Sequence, residues 1–537
     1  MQKLTIRKRA AVRRGVDGFR WERGTLLGVL TALAVLLAAG CSGGDSETAQ
    51  EGTEASTEPD TTGEEATTEA SGDQPNMIFV LTDDLDYASI QKMPEINSLL
   101  KDEGATFGNA FISHPICCPS RSTILTGLYD HNHNVISNRP PDGGFEKFVS
   151  KGHEENTIAV SLQEGGYQTG FFGKYLNGYT NADPTHVPPG WDEWYGKIKE
   201  QELYDYSLNE NGEEVSYGSE PEDFFTDVLS GKATDFVRQA ASEDQPFFAY
   251  VAPTAPHVPA TPAERHKGAF ADEEAPRPPS FNEEDVSDKP SGIRDSASLS
   301  EQEISEIDSR YQKRLESMLA VDEMVGSLAE ELKAAGELDN TYIFFTSDNG
   351  FEQGEHRIKG GKDRPYEESA RVPFFVRGPG IAPGSEVEEL AVNTDFAPTF
   401  ADLASVEFPA DGRSLAPLLR GEEPAWRSSV LLEKLPAEEN GEEANGKGKS
   451  KNKGKGKGKA KTGADGSPAF EAIRTETYKY VEYENGETEL YDLEQDPYEL
   501  ESLHESADPS LIEDLKARLE ALEECSGDGC REVEDAQ

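Results

Sequence analysis

Residues 77–84 read Met-Ile-Phe-Val-Leu-Thr-Asp-Asp, a continuous apolar run that stops at an acidic pair. An unbroken apolar run of this kind suits a strand buried on both faces of a parallel sheet. The pattern returns at residues 342–350, Tyr-Ile-Phe-Phe-Thr-Ser-Asp-Asn-Gly. Ligands in open α/β sheets collect beyond the carboxyl ends of the strands, so Asp83, Asp84, Asp348 and Asn349 are expected on one rim. Between the two strands Ile304, Ile307, Tyr311, Leu315, Met318, Val325, Leu328 and Leu332 recur at helical spacing and predict a covering helix. Phe247–Val251 and Val372–Val376 are further core-strand candidates. Gln74 to about Trp426 therefore reads as one large α/β unit without internal repeats.

After Trp426 the pattern changes. Tyr478–Tyr483, then Asn485-Gly486, then Thr488–Tyr491 predict a hairpin with a tight turn. Leu511, Leu515, Leu519 and Leu522 mark a closing amphipathic helix, which gives a small C-terminal α+β subdomain.

Residues 117–127, Cys-Cys-Pro-Ser-Arg-Ser-Thr-Ile-Leu-Thr-Gly, place a thiol two residues before a Pro and four before an Arg. The Ser-rich run after Pro119 is expected to open a helix. A nucleophile and a fixed cation at a helix N-terminus suit attack on an anionic ester, because the free N–H groups and the dipole favour negative charge there. A buried free thiol or a structural disulfide is the plainer alternative.

This run resembles the Cys-x-Pro-Ser-Arg-x-x-x-Leu-Thr-Gly signature of the type I sulfatases, in the alkaline phosphatase superfamily. The resemblance extends from Asn76 to about Leu503. It implies an alkaline-phosphatase-like fold, a large mixed, mostly parallel sheet sandwiched by helices. It also implies that Cys117 is oxidised to formylglycine, whose hydrate attacks a sulfate ester, with a formylglycine-generating enzyme as maturation partner. The signature spacing selects Cys117, since Cys118 lies next to Pro119.

Four further blocks match the family. Thr82-Asp83-Asp84 and Ser347-Asp348-Asn349-Gly350 match its two metal pairs and imply one divalent cation held by Asp83, Asp84, Asp348, Asn349 and residue 117. Oxygen ligands of this kind suit Ca²⁺ first and Mg²⁺ second. Removing one of these carboxylates is expected to relieve like-charge repulsion in the metal-free protein. Phe172-Gly-Lys174 and Gly361-Lys362 match the sulfate-binding lysines, and His257 in Ala255-Pro-His-Val-Pro259 matches the His that contacts the sulfate and the leaving oxygen.

One position departs from the pattern: many sulfatases carry a His shortly after the first lysine, where this chain has Asn177. The Gly-Lys-Tyr-Leu-Asn form and the run Asp130-His131-Asn132-His133 resemble instead the glucosamine-6-sulfatase and heparan endosulfatase branch. His131 or His133 is a candidate for the missing base, and either can equally serve to hold its loop.

The resemblance thus implies hydrolysis of sulfate monoesters, with a leaning to glucosamine 6-O-sulfates. Arg121 and the cation polarise the formylglycine hydrate, Asp348 takes its proton, and Lys174, Lys362 and His257 gather charge on the sulfuryl oxygens. His257 or Lys362 protonates the departing alcohol. The alternatives are an aryl sulfatase, a phosphonate or phosphate ester hydrolase of the same superfamily, and, from another class, a catalytically silent surface binding protein. The expected partner is a sulfated carbohydrate or a small sulfate ester.

The ends bound the setting. Residues 1–40 combine a basic stretch with the uncharged run Gly24–Gly40 and end in Leu-Ala-Ala-Gly before Cys41, like a bacterial lipoprotein signal. Export with lipidation of Cys41 is expected, so that any membrane attachment is through that anchor alone, with ordinary secretion as the alternative. Residues 41–75 hold ten acids and no base and read as a flexible stalk. The catalytic domain is expected over 76–425, the C-terminal subdomain over 426–524, and a tail over 525–537. A disordered insert near 437–466 contains the eight lysines of Lys447–Lys461. Residues 1–40 carry eight basic and two acidic side chains, so their removal takes the net charge from −52 to −58. Such a chain repels nucleic acid.

Overall fold

The computed structural model describes residues 74–198, 202–243, 245–437 and 467–536. The signal-like segment, Cys41, the stalk up to residue 73 and the tract Lys447–Lys461 lie outside the described residues.

Ten strands form the main sheet: β1 (Asn76–Thr82), β2 (Ala105–Phe107), β4 (Gln168–Gly173), β5 (Glu193–Lys197), β6 (Ser207–Glu210), β7 (Glu213–Ser216), β8 (Phe247–Ala252), β9 (Thr341–Ser347), β10 (Phe375–Arg377) and β11 (Ser385–Val387). Their order is β11-β2-β10-β9-β1-β8-β4-β5-β6-β7, and β3 (Ala110–Phe111) pairs separately with β12 (Ala391–Val392). The centre, β9-β1-β8-β4-β5, is parallel, while β10 and β6–β7 run antiparallel to their neighbours.

Side chains alternate across this centre, as strand periodicity requires. Phe79, Leu81, Phe248, Tyr250 and Phe344 face one layer, packed with Ile124 and Leu125 of α1 (Cys117–Thr126) and Phe396 and Phe400 of a later helix. Ile78, Val80, Ala249, Val251, Ile343 and Phe345 face the other, covered by Leu229 and Phe236 of α2 (Phe225–Ser242) and Leu315, Met318 and Val325 of α3 (Glu301–Ala335). Both faces are dry, which is why β1 and β9 carry no polar alternation. The covering helix has a capping box, with Ser300 N donating to Glu303 Oε2 at 2.8 Å and Glu303 N to Ser300 Oγ at 3.4 Å.

The C-terminal sheet is antiparallel in the order of β13 (Ser429–Lys434), β14 (Phe470–Thr475), β15 (Tyr478–Tyr483) and β16 (Thr488–Asp492). Leu515, Leu519 and Leu522 of α4 (Pro509–Glu523) cover one face. The opposite face packs on Phe111, Ala370 and Leu390 of the large unit.

Two expectations need correction. Val372–Val376 is not a strand throughout: β10 begins at Phe375, two residues past Pro373, which has no N–H to give a ladder. The segment 525–536 is not a loose tail. Cys525 and Cys530 are disulfide-bonded, and buried Glu534 accepts from Tyr129 Oη at 2.6 Å and pairs with Arg427 at 3.1 Å and Arg413 at 3.1 Å. Cys525 and Cys530 flank Ser-Gly-Asp-Gly, a spacing that allows the closed loop, but nothing local announces the ion pairs of Glu534.

Candidate active site

Strands β1 and β9 lie side by side with Thr82 opposite Ser347, so Asp83-Asp84 and Asp348-Asn349 leave the sheet together. Asp348 N donates to Thr82 O at 3.0 Å, and Asp84 N donates to Asp348 Oδ1 at 3.1 Å. Asp84 takes a left-handed φ of 67°. Its carbonyl accepts from Arg314, a buried residue of α3 that also donates to Pro256 O at 3.2 Å. The covering helix therefore reaches through the core to fix the acidic rim.

Cys117 is the first residue of α1, where the chain turns from the extended Ile116 into the helix. The helix thus starts at Cys117, ahead of Pro119 and not after it as the Ser-rich run suggested. It ends at Gly127, whose φ of 68° favours glycine and where a Cβ would lie 2.7 Å from that of Ala410.

Lys174 follows β4. At Gly173 the backbone presses so close to β8 that a Cβ would lie 2.1 Å from Ala252 O. That approach lets Lys174 N bond Ala252 O at 2.9 Å and brings Nζ to Asp83 Oδ2 at 2.8 Å.

Around Cys117 the opposite charges interlock. Lys362 Nζ lies 2.8 Å from Cys117 Sγ and also bonds Asp84 Oδ1, and the thiol lies 3.5 Å from Asp83 Oδ1. Arg121 donates from Nε to Asp348 Oδ2 at 2.8 Å and from Nη1 to Lys174 O at 2.6 Å. His257 gives Nδ1–H to Val258 O at 2.6 Å, which leaves Nε2 facing Asp84 Oδ2 at 3.7 Å.

Three buried carboxylates thus meet three cations. Burial works against the charge of Asp83, but Lys174, His257 and Arg121 hold its carboxyl well below the usual range. Asp84 is lowered against the same burial penalty by Lys362 and His257. For Asp348 burial and the charge of Asp83 prevail over Arg121 and the shift is upward. Burial pushes the Cys117 thiol up to about 12 despite both lysines.

A cation fits here on chemical grounds. Asp83, Asp84, Cys117 and His257 offer ligand atoms within 4.8 Å of one another. Asn349 Nδ2 donates to Asp84 Oδ1 at 2.8 Å, while the buried Asn349 Oδ1 has no hydrogen-bond partner among the described residues. A buried amide oxygen beside three carboxylates is a donor set for a hard divalent ion.

Asp83, Cys117, Lys174, Asn177, His257 and Lys362 line one cleft of about 510 Å³, together with Asn138, Arg139 and Asn181. His131 and His133 are not among the residues that line it. His131 pairs with Glu433 at 3.0 Å and bonds Cys525 O, tying its loop to the C-terminal sheet. His133 is buried between Asp130 and Thr123 of α1, with Nδ1 accepting from Val135 N.

Sequence reasoning missed a buried link behind the site. His114 bonds Asp130 through Nδ1 and Asp363 Oδ1 through Nε2 at 3.0 Å, and Asp363 also pairs with Lys434 at 2.7 Å. Asp363 N donates to Pro115 O at 2.9 Å. One imidazole therefore joins the loop that carries Cys117 to the loop that carries Lys362. Burial opposes its charge, but Asp130 and Asp363 raise its pKa from 6.5 to about 9, and Glu433 raises that of His131 to about 9 in the same way. Groups raised on folding stabilise fully below their unfolded pKa and lose that contribution as pH climbs through the folded one. The melting temperature is therefore expected to fall between pH 6.5 and 9, and less steeply in His114→Gln and His131→Gln. An equally steep fall in the double variant would assign the titration to other groups.

The sulfatase family model matches residues 75–406. The human N-acetylglucosamine-6-sulfatase is 35% identical over 476 residues, covering 85% of this chain and 86% of the relative. A protein solved in complex with its substrate D-glucosamine-2-N,6-O-disulfate superposes with a TM-score of 0.67 at 26% identity, over 86% of this chain and 100% of that one. The phosphonate monoester hydrolase of Agrobacterium radiobacter superposes with a TM-score of 0.62 at 22% identity, over 84% of this chain and 96% of that one, a likeness of fold.

Proposed function

The chain belongs to the sulfatase family, and from that premise we propose that it removes 6-O-sulfate from glucosamine-type sugars using an oxidised Cys117 and a divalent cation. It is a sulfuric ester hydrolase of alkaline-phosphatase-like fold, close to the glucosamine-6-sulfatases. One observation carries the proposal: the Cys117 sulfur stands at the start of α1, 2.8 Å from Lys362 Nζ and 3.5 Å from an acidic rim that suits a cation.

As the formylglycine hydrate, residue 117 supplies the oxygen nucleophile. Asp83, Asp84, Asp348 and Asn349 would hold the cation, with Ca²⁺ favoured and Mg²⁺ second, and it would supply positive charge beside the sulfuryl oxygens. Arg121 holds Asp348 in place, and Asp348 is positioned by that contact to take the proton of the hydrate. Lys174 and Lys362 gather the sulfuryl oxygens, and His257 Nε2, free of the Val258 carbonyl, faces the cleft to protonate the leaving oxygen.

Charge balance favours sulfate over phosphate. Lys174, Lys362 and Arg121 are each matched by a carboxylate, so the bound cation, with the exposed Arg139 of the cleft lining, is left to offset the substrate and the nucleophile. A phosphate monoester dianion brings one more negative charge than a sulfate monoester. The amides of Asn138, Asn177 and Asn181 in the cleft, with no Phe, Tyr or Trp among its described lining residues, suit sugar hydroxyls better than an aryl group. The test is a matched comparison of kcat/KM on N-acetylglucosamine 6-sulfate and an aryl sulfate, using protein matured with a formylglycine-generating enzyme. The sugar should be preferred; preference for the aryl ester would overturn the substrate assignment.

A further inference from the structure

We propose that His356, Glu368 and Glu499 form a second metal site, separate from the acidic rim, which takes Zn²⁺ and clamps the loop carrying Lys362 to the C-terminal subdomain.

The three residues come from different parts of the chain. His356 lies in the loop after β9, Glu368 in the helical turn Glu367–Ala370 beyond Lys362, and Glu499 past β16. Their ligand atoms lie within 4.8 Å of one another, and none of the three lines the catalytic cleft. His356 and Glu499 are fully buried, while Glu368 keeps 20% of its side chain exposed and leaves an ion a way in.

The imidazole is what points to an ion. His356 Nδ1 bonds Glu283 Oε2 at 2.7 Å, and the ring stacks on Tyr366 with centroids 4.4 Å apart. The Glu283 carboxylate accepts, so Nδ1 carries the proton and Nε2 presents a bare lone pair. Buried Nε2 has no hydrogen-bond partner among the described residues. It stands 4.0 Å from Glu368 Oε2, too far for a hydrogen bond, and that oxygen has no such partner either. A carboxylate behind an imidazole whose other nitrogen is open is the arrangement that orients metal-binding histidines.

Charge points the same way. Burial and the charges of Glu355 and Glu499 push the Glu368 carboxyl well above the usual range, and no lysine or arginine pairs with it among the described residues. Its other oxygen accepts only from Ser280 Oγ, at 3.1 Å. Glu499 is held by Lys479 and by Glu367 N at 2.9 Å, and its two oxygens still have lone pairs to give. The rim of Asp83, Asp84, Asp348 and Asn349 is a set of oxygens that suits Ca²⁺. One imidazole with two carboxylates suits Zn²⁺ instead, with water completing the shell. An ion here would add a second link, beside the Glu367–Glu499 bond, between the C-terminal subdomain and residues 351–371.

The experiment uses matured full-length protein: wild type, His356→Gln and Glu368→Gln. Each is incubated with Zn²⁺ and an excess of Ca²⁺ that keeps the acidic rim occupied, then desalted, and its metals are counted by elemental analysis. Wild type should keep about one zinc per chain, and both variants should lose it with no change in calcium. Added zinc should raise the melting temperature of wild type alone, since an ion bound only by the folded state stabilises it. Co²⁺ in place of zinc should give wild type a visible absorption band that the variants lack. Glu368→Gln is nearly isosteric at a partly exposed position, so it decides the matter should His356→Gln fail to fold. Wild type without zinc overturns the inference and leaves a proton between Glu368 and His356 in its place. Zinc kept at the wild-type level in either folded variant overturns it too. Neither result bears on the sulfatase reading, which the calcium count and turnover test separately.

Discussion

Cys117→Ala is expected to lower kcat by at least about 10⁴-fold, the scale of removing a nucleophile that acts within a unit. The fold should survive it. The substitution deletes one buried sulfur, and Lys362, which loses its contact at 2.8 Å, keeps its ion pair with Asp84. The melting temperature should therefore stay close to that of the wild type while turnover disappears. Cys118→Ala removes a fully buried thiol behind the helix start and should cost stability with turnover retained. Equal activity in Cys117→Ala and wild type would remove residue 117 from the chemistry.

The second large effect concerns the acidic rim. Asp348→Ala should lose the divalent cation, read by elemental analysis, and most activity with it. It should also destabilise the metal-free protein by about 3–5 kcal/mol, the usual cost of stranding one partner of a buried ion pair. Arg121 is 1% exposed and its Nε bond at 2.8 Å to Asp348 would be left without an acceptor. The like-charge repulsion from Asp83 that the sequence suggests is relieved by this change, and the cost of stranding Arg121 in the core is set against it. Asp84→Ala should cost less stability, since Lys362 is 14% exposed at its side chain and can turn to solvent. Full metal occupancy in a double variant lacking both carboxylates would refute the cation site.

The parts of this site that were legible share one property: their signal is local. Met77–Asp84 and Tyr342–Asn349 each carry a strand and its candidate ligand pair within eight residues, so periodicity and chemistry are read together. Cys117, Lys174, His257 and Lys362 likewise sit in short runs that single them out as candidates, and the structure brings them to one cleft. What stayed hidden is long-range. His114 and Asp363 are 249 residues apart, and nothing in either neighbourhood announces that one imidazole joins them. Arg314 lies within a helix recognised by its apolar positions, which say nothing of a buried guanidinium reaching Asp84 O. His131 and His133 take the loop-holding arrangement that their run also allowed. Their run resembles a site motif, but Glu433, Cys525 O and Thr123, all brought in by tertiary packing, claim their ring nitrogens.

The central claim is that an aldehyde at position 117 performs the reaction. It is tested most directly by preparing the protein with graded amounts of a formylglycine-generating enzyme. The fraction of residue 117 converted is measured by peptide mass spectrometry, and turnover is measured on the same samples. Turnover per molecule should rise in proportion to the aldehyde fraction and extrapolate to zero for the unmodified thiol. Full turnover in protein whose Cys117 is wholly unmodified would contradict the account.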